Sequence, residues 1–445
     1  MNKKSILNNI VLPIGDRISR QSVMKYYRLY SEMQWWPHLK LQEYQNNLFV
    51  KTINEAYLQV PFYRDLYDKS NIDMRKIKSL SDIGRLPILT KDMIRKNYPD
   101  KIVNKNRKSN IELFTSGSTG KPLSVRLDME TISAARALML LRANFSGWEI
   151  GQPYLQTGMT LNRGWIRYAK DLLLGVHYVS AFDLTDDKID LYLKIIKKHK
   201  LKYIMGYASS LYLIAKRAIS NNSGIELKGA VSWGDNLFAQ YRKVIENAFQ
   251  CRVTDTYGCG EGIQIAAECE YGNYHIFMPH VHVEFLYENK NYTDEVGEIL
   301  VTRLNAGAMP FIRYRIGDIG KKSHDSICKC GRSLNHFKSI EGRDSDIIVT
   351  PNGNNLIVHF FTGIFEYEKT VDTFQVVQNE IDSIDVKIVP MKGFTESIWE
   401  KIRNEIHTKG DPSLEINLEI VQSIPLEKSN KRRFVISRLN NNEKI

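Results

Sequence analysis

The chain has 445 residues, of which 43% are hydrophobic and 10% are aromatic. This composition excludes a disordered chain, and the length is too great for one ordinary core, so we predict two globular domains, one of them large. The net charge is +12, but the basic residues are spread along the chain among 50 acidic residues. The charge therefore indicates a general attraction to polyanions, such as nucleotides or an anionic membrane surface, and we predict no binding of nucleic acid.

The N-terminal sequence and the cysteines bear on the compartment. The apolar run from Ile10 to Ile14 is interrupted by Pro13, and no apolar stretch approaches the roughly 18 residues of a membrane span. The five cysteines form an odd, sparse set, which fits metal ligands or free thiols in a reducing compartment better than disulfides. We predict a cytoplasmic protein with no export signal and no transmembrane segment.

A loop rich in glycine and hydroxyl side chains follows a helical start. Residues 20–67 are predicted to be helical, Thr90 to be an N-cap, and Asn110–Phe114 and Leu123–Leu127 to be strands on either side of the loop. The loop contains two glycines, four hydroxyl side chains and one lysine, namely Thr115, Ser116, Gly117, Ser118, Thr119, Gly120 and Lys121.

Such a loop can surround a polyphosphate with backbone N–H groups and side-chain donors. It is not a Walker A loop, because Thr115 stands where that pattern needs glycine and Pro122 follows the lysine where Ser or Thr is needed. Taken alone, the loop also fits a flexible linker.

After the loop, short strands alternate with helices. We predict strands at 203–205, 229–232 and 253–256, and helices at 131–142, 186–198, 210–219 and 238–249. This alternation indicates βα units and a mostly parallel sheet, in which ligands bind at the carboxyl ends of the strands. Two predicted strand ends carry candidate site residues, namely Gly234 and Asp235 at one and Thr256, Tyr257, Gly258 and Glu261 at the other.

The character of the sequence changes after Arg343. Strands at 374–377, 384–389 and 414–421, with a helix at 395–409 that has Thr395 as its N-cap, predict a compact α+β module. We therefore predict an α/β protein with a large mixed domain over residues 1–342, helical at its start over 1–110, and a small mobile α+β domain over 343–445. Three more motif segments lie in this half of the chain: Tyr314-Arg-Ile-Gly-Asp318, Gly342-Arg-Asp-Ser-Asp346 and Pro425-Leu-Glu-Lys-Ser-Asn-Lys431.

Together and in this order, these segments resemble the motifs of the adenylate-forming ligases, which include acyl-CoA synthetases, luciferases and peptide-synthetase adenylation domains. Val60-Pro-Phe-Tyr63 and Leu86-Pro-Ile-Leu-Thr-Lys91 are similar to segments of the phenylacetate–CoA ligases and of the CapK-type proteins of capsular polysaccharide gene sets. The resemblance covers nearly the whole chain. It implies that ATP converts a small carboxylic acid to acyl-AMP with release of pyrophosphate, and that the acyl group then passes to CoA.

The resemblance assigns most of the motif residues to a nucleotide site. The loop would hold the β- and γ-phosphates of ATP together with Lys121, Glu261 would hold Mg²⁺, and Asp318 would accept hydrogen bonds from both ribose hydroxyls. The other residues assigned to the nucleotide are Gly234, Asp235, Thr256, Tyr257, Gly258 and Arg343. Tyr257 would stack on adenine. Taken singly, the motif from Tyr257 to Glu261 and the motif that ends at Asp318 also fit ordinary turns.

Two residues would act through rotation of the small domain. Ser345 stands at the hinge, where the family has Asp. Lys431 corresponds to the catalytic lysine that reaches the substrate carboxylate and the α-phosphate. Asn430 replaces the family's glycine before that lysine, so Lys428 is a rival for the role.

Three thiols and one imidazole form a separate candidate metal site. Cys269, His275, Cys328 and Cys330 make up the donor set that a tetrahedral structural zinc takes, and some phenylacetate–CoA ligase-like proteins carry zinc at comparable positions. Unligated cysteines are the alternative.

Two functions other than CoA ligation remain open at this point. Transfer of the acyl group to an amine, such as an amino sugar of a surface polysaccharide, would give an amide. The departures at Asp235, Ser345 and Asn430 would suit a non-catalytic nucleotide-binding regulator. The sequence does not indicate the acid or the oligomeric state.

Overall fold

The structure is a computed structural model, and it describes residues 3–108, 111–115, 123–158, 164–181, 184, 186–234, 236–287, 296–323, 328–343, 348–352, 355–356, 358–365, 368, 370–424 and 433–439. The helices are α1 (Lys3–Ile6), α2 (Leu12–Ile18), α3 (Val23–Met33), α4 (His38–Gln59), α5 (Pro61–Lys69), α6 (Lys91–Asn97), α7 (Met129–Asn144), α8 (Gly164–Leu174), α9 (Asp186–Lys198), α10 (Ala208–Ser220), α11 (Ala239–Phe249), α12 (Val358–Phe365) and α13 (Glu396–Lys409). A π-helical segment, Leu7–Val11, joins α1 to α2, and 3₁₀ turns cover Met74–Lys76 and Leu80–Arg85.

The strands are β1 (Ile111–Thr115), β2 (Leu123–Leu127), β3 (Tyr154–Gly158), β4 (Val176–Ser180), β5 (Tyr203–Tyr207), β6 (Gly229–Trp233), β7 (Val253–Cys259), β8 (Ile263–Glu268), β9 (Tyr274–Ile276), β10 (Val281–Leu286), β11 (Val296–Arg303), β12 (Tyr314–Lys322), β13 (His336–Arg343), β14 (Ile348–Val349), β15 (Asn355–Leu356), β16 (Val371–Glu380), β17 (Ser383–Pro390), β18 (Glu415–Ile420) and β19 (Val435–Ser437). Eleven of them form one sheet in the order β10-β11-β12-β13-β9-β8-β7-β6-β5-β3-β4. The β4-β3-β5-β6-β7 part is parallel, and the β7-β8-β9-β13 part is antiparallel.

The parallel part of the sheet confirms the predicted βα units. The first four residues of β5 and of β6 are buried, as expected for strands covered by helices on both faces. Helix α9 has the predicted bounds because Ile189, Leu193 and Ile196 recur at helical spacing and are buried. Acidic residues lie in its first turn and lysines in its last, which suits the helix dipole. The mixed α/β fold class is thereby confirmed.

Contacts divide the chain into two compact units. The first comprises Met1–Glu284, Leu300–Ile316 and Ser323–Lys338, and the second comprises Phe285–Ile299, Gly317–Lys322 and Ser339–Ile445. The second unit contains a four-stranded sheet in the order β18-β17-β16-β19, as well as α13, which buries Trp399, Ile402 and Ile406. The boundary at residue 343 stays a prediction. None of the helices in the described ranges is long and apolar enough to cross a membrane.

Candidate functional site

Three neighbouring parallel strands of the first unit end at the candidate site. Gly234 follows β6 with a φ of +84°, and a Cβ at this position would lie 2.6 Å from the ring of Tyr207, the last residue of β5. Only glycine therefore fits here without displacing the ring. On β7, Thr256 donates its hydroxyl to the backbone oxygen of Ser232 at 2.8 Å. Gly234 follows the end of its strand as predicted, whereas β7 continues to Cys259, so Thr256 lies within the strand and the predicted strand end at residue 256 is wrong.

A buried arginine, Arg142, contacts two of these strands, and the sequence motifs did not identify it. Arg142 of α7 donates through Nη1 to Thr256 Oγ1 at 3.3 Å and to Gln264 Oε1 at 3.0 Å. Its guanidinium lies 4.9 Å from the centre of the Trp233 ring. Burial lowers the pKa of Arg142 to about 10, so the side chain remains a cation at neutral pH. An arginine near the end of an Ala- and Leu-rich helix was the available signal.

Two sequence motifs meet at Glu261. This carboxylate is 5% exposed and accepts a hydrogen bond from the hydroxyl of Tyr314 at 2.5 Å. Burial and the charge of Glu261 raise the pKa of Tyr314, so the phenol stays protonated and donates. Tyr314 opens the motif that ends at Asp318, and Asp318 lies half-buried on the same strand, β12. Sequence reasoning assigned a role to Asp318 but missed Tyr314 as the residue that holds Glu261.

The stem of the phosphate-loop candidate packs next to Glu261. Strands β1 and β2 form an antiparallel hairpin in which Thr115 pairs with Leu123. Gly262 has a φ of +81°, and a Cβ there would lie 3.2 Å from the side chains of both Leu113 and Leu127. The strands of the hairpin therefore pack against the turn that contains Glu261.

Tyr257 is half-buried, and its ring meets the edge of Phe337 at 5.8 Å between ring centres, with an interplanar angle of 87°. This contact fixes the orientation of the ring that is predicted to stack on adenine. Gly258 is exposed and follows Tyr257 on β7.

Several predicted site residues lie outside the described ranges. They are Ser116, Gly117, Ser118, Thr119, Gly120, Lys121, Asp235, Ser345 and Lys431. Thr115 ends β1 and Arg343 ends β13, and only their backbones are described. Their assigned roles stay predictions.

The four candidate metal ligands come together, although two of them lie more than 50 positions from the others in sequence. One donor atom from each of Cys269, His275, Cys328 and Cys330 lies within 4.8 Å of all the others. The Sγ atoms of Cys269 and Cys328 are 3.6 Å apart, close to the roughly 3.8 Å that two thiolates span across a tetrahedral zinc. The geometry therefore fits a zinc ion.

The histidine of this cluster presents one defined nitrogen. His275 Nε2 lies 3.2 Å from Cys330 Sγ, and Nδ1 donates to the backbone oxygen of Leu334 at 3.1 Å. Burial lowers the pKa of His275 to about 4, so the imidazole is neutral and its Nε2 lone pair is free for a metal. A ligating histidine commonly donates its other nitrogen in this way.

The cluster also connects the N-terminal helices to the sheet. Arg332 donates through Nε to the side chain of Gln34 at 2.9 Å, and Ser333 donates its backbone N–H to the backbone oxygen of Gln34 at 2.9 Å. His38 at the start of α4 contacts the backbone oxygen of Ser333 at 2.9 Å. The segment that carries Cys328 and Cys330 therefore links two parts of the first unit.

Comparisons with known proteins identify a matching family model and similar proteins. The family model described as the CapK C-terminal domain matches residues 348–438. Protein CapK of Staphylococcus aureus is 26% identical over 98% of this chain and 97% of its own length. The phenylacetate–coenzyme A ligase of Thermus thermophilus is 24% identical over 86% of this chain and 89% of its own length.

Solved structures agree in fold. A 2-hydroxyisobutyryl-CoA ligase, solved in the postadenylation state with an acyl-AMP, matches 92% of both chains with a TM-score of 0.72 and 17% identity. The amide bond synthetase McbA of Marinactinospora thermotolerans matches 72% of this chain and 67% of its own, with a TM-score of 0.52 and 19% identity. The predicted resemblance is thereby confirmed: the C-terminal part matches the CapK family model, CapK and phenylacetate–coenzyme A ligases are homologues of this chain, and the fold is that of solved adenylate-forming ligases.

Proposed function

We propose that this chain uses ATP and Mg²⁺ to convert a small carboxylic acid to acyl-AMP with release of pyrophosphate. The observation that carries the proposal is the buried carboxylate of Glu261, held by Tyr314 next to the stem of the phosphate-loop hairpin. A carboxylate in this position can hold Mg²⁺ beside the phosphates, where the ion offsets the charge that develops on them during attack at the α-phosphate.

The rest of the site suits the remaining parts of the nucleotide. The ring of Tyr257, oriented by Phe337, would stack on adenine beside Gly234, and Asp318 would bind the ribose hydroxyls. Tyr207 lies against Gly234 at the end of the next strand and would contact the acid. A non-catalytic regulator is disfavoured, because the relatives that the comparisons identify include ligases over most of this chain.

CoA is the acceptor that we propose first. Phenylacetate–coenzyme A ligases are similar over 67–86% of this chain, and a similar structure is a CoA ligase. Incubation of the protein with a panel of small carboxylic acids, ATP, Mg²⁺ and CoA should give an acyl-CoA that mass spectrometry detects. Hydroxylamine in place of CoA should give the hydroxamate, because it traps acyl-AMP.

Amide formation is the second candidate. The similarity to CapK extends over nearly the whole chain, and the fold matches that of an amide bond synthetase. Hydroxamate with hydroxylamine, an amide with an amino sugar and no thioester with CoA would identify an amine acceptor. Absence of the hydroxamate with every acid would contradict acyl-AMP formation itself.

We also propose that Cys269, His275, Cys328 and Cys330 hold a structural zinc ion. We expect metal analysis of the purified protein to find about one zinc per chain. Cys328→Ser should lose the zinc and lower the melting temperature by about 5 °C or more, because the ion stabilises only the folded state. The matched control is Cys251→Ser, which changes a half-buried thiol outside the cluster and should keep the zinc. Equal zinc contents in both variants would contradict this assignment.

A further inference from the structure

Four isoleucines form an exposed stripe along the N-terminal helical segment, residues 3–18. Ile6, Ile10, Ile14 and Ile18 recur every four residues and are 41%, 45%, 51% and 81% exposed. Side chains at this spacing lie on one side of a helix. Isolated exposed apolar residues are ordinary, but four in one row form an apolar surface.

The opposite side of the same segment is fixed to the body of the first unit. Leu7 is buried, and Leu12 packs against the cluster that contains Met24 and Trp148. Asp16 accepts the backbone N–H of Met24 at 2.7 Å, and the backbone oxygen of Asn8 accepts from Arg28 at 2.9 Å. These contacts hold the isoleucine stripe outwards, so the stripe does not complete the core.

Helix α8 carries a second exposed apolar row. Trp165, Tyr168 and Leu172 occur at spacings of three and four residues and are 80%, 71% and 73% exposed. A large, mostly exposed tryptophan on a helix is typical of a surface that binds a membrane or another protein.

The two rows neighbour the same arginine of α7. Arg136 donates to the side chain of Gln21, just after α2, at 2.6 Å. Burial and the charge of Arg167 on α8 lower the pKa of Arg136, and the carboxylate of Asp16 on α2 raises it. Charged residues of α2 and α8 therefore both lie within electrostatic reach of Arg136.

Basic residues outnumber acidic residues around the isoleucine stripe. The first 28 residues contain six lysine and arginine residues but one acidic residue, Asp16. The carboxylate of Asp16 accepts a hydrogen bond from the backbone N–H of Met24. Arg17 and Arg20 are exposed next to Ile18. Apolar side chains with basic residues around them, on a helix that lies flat on a folded body, are the features of helices that bind the interface of an anionic bilayer.

From this charge complementarity we propose that the isoleucine stripe, together with the exposed row of α8, binds the surface of membranes that contain anionic lipids. The isoleucines and Trp165 would enter the interface between headgroups and acyl chains, and Arg17 and Arg20 would lie against the lipid phosphates. The segment would lie on the bilayer and not cross it. This inference does not depend on the proposed ligase reaction.

Sedimentation with vesicles tests the proposal on the full-length protein. We expect the protein to bind mixed phosphatidylcholine–phosphatidylglycerol vesicles, to bind phosphatidylcholine vesicles far less, and to dissociate in about 1 M salt, where the Debye length falls to about 3 Å. The double variant Ile10→Glu, Ile14→Glu should bind the mixed vesicles at least about tenfold more weakly than the original chain, because two apolar side chains would no longer enter the interface. The matched control is Leu58→Glu, which changes a 64% exposed leucine of α4 and should bind as the original chain does.

Other outcomes would overturn the proposal. Equal binding to both kinds of vesicle would contradict the role of charge. Unchanged binding by the double isoleucine variant would contradict the role of the stripe. No binding to anionic vesicles, together with self-association that the double variant abolishes, would identify the stripe as an interface between two copies of the chain. Sedimentation velocity without lipid separates that outcome from membrane binding.

Discussion

Glu261→Gln should reduce acyl-AMP formation by about a hundredfold or more, because it removes the negative charge that we assign to Mg²⁺. Glutamine keeps an oxygen that can accept the hydrogen bond from Tyr314, so the fold should survive and the melting temperature should change little. Hydroxamate formation from acid, ATP and hydroxylamine measures the loss. Raising the Mg²⁺ concentration should restore part of the activity, which a purely structural defect would not allow.

Tyr314→Phe provides the graded comparison for that experiment. It keeps the carboxylate but removes the hydroxyl that holds Glu261. We therefore expect the rate of acyl-AMP formation to fall about tenfold, which corresponds to the net contribution of one hydrogen bond. The matched control for Glu261→Gln is Glu405→Gln, which also replaces a glutamate by glutamine but lies on α13. It should leave the rate of acyl-AMP formation unaltered. If Glu261→Gln retained the full rate, Glu261 would not be a magnesium ligand.

Lys431→Ala should also slow adenylation by about a hundredfold or more. The substrate carboxylate and the triphosphate repel each other as they approach, and one cation directed at both stabilises the transition state more than the ground state. Formation of the thioester or amide from supplied acyl-AMP should be largely spared, because the small domain would by then have rotated this lysine away. The two half-reactions are measured separately.

Lys428→Ala is the matched comparison, since Lys428 is three positions earlier in the same segment. We expect it to adenylate at nearly the original rate. If Lys428→Ala were slow and Lys431→Ala fast, the Asn430 substitution would have shifted the turn and Lys428 would be the catalytic lysine. Equal loss of both half-reactions in Lys431→Ala would indicate a structural role for Lys431.

Local patterns predicted the parts of the fold that local forces determine. The bounds of α9 follow from its apolar spacing and its charged ends. Thr90 was correctly predicted as an N-cap, and its Oγ1 accepts the backbone N–H of Met93 at 3.3 Å. Thr395 is the N-cap residue of α13 as predicted, but its side chain makes no capping hydrogen bond there. The position of an N-cap residue could therefore be inferred from sequence, whereas the capping hydrogen bond of its side chain depended on local geometry.

Contacts between distant segments could not be predicted in the same way. Tyr314 and Glu261 are 53 positions apart, and Arg142 is 114 positions from Thr256. No periodicity links such pairs, because tertiary packing brings these distant segments together. The candidate zinc ligands are an exception, since the donor chemistry of three cysteines and one histidine indicated a common site despite their separation.

Carboxylate-dependent exchange of labelled pyrophosphate into ATP reports acyl-AMP formation without any assumption about the acceptor. The original chain, given Mg²⁺, ATP and a panel of small carboxylic acids, should catalyse exchange with at least one acid and none without acid, and Glu261→Gln should lose about 99% of that exchange. Absence of exchange with every acid, or exchange that Glu261→Gln retains in full, would contradict the adenylation chemistry proposed for this site.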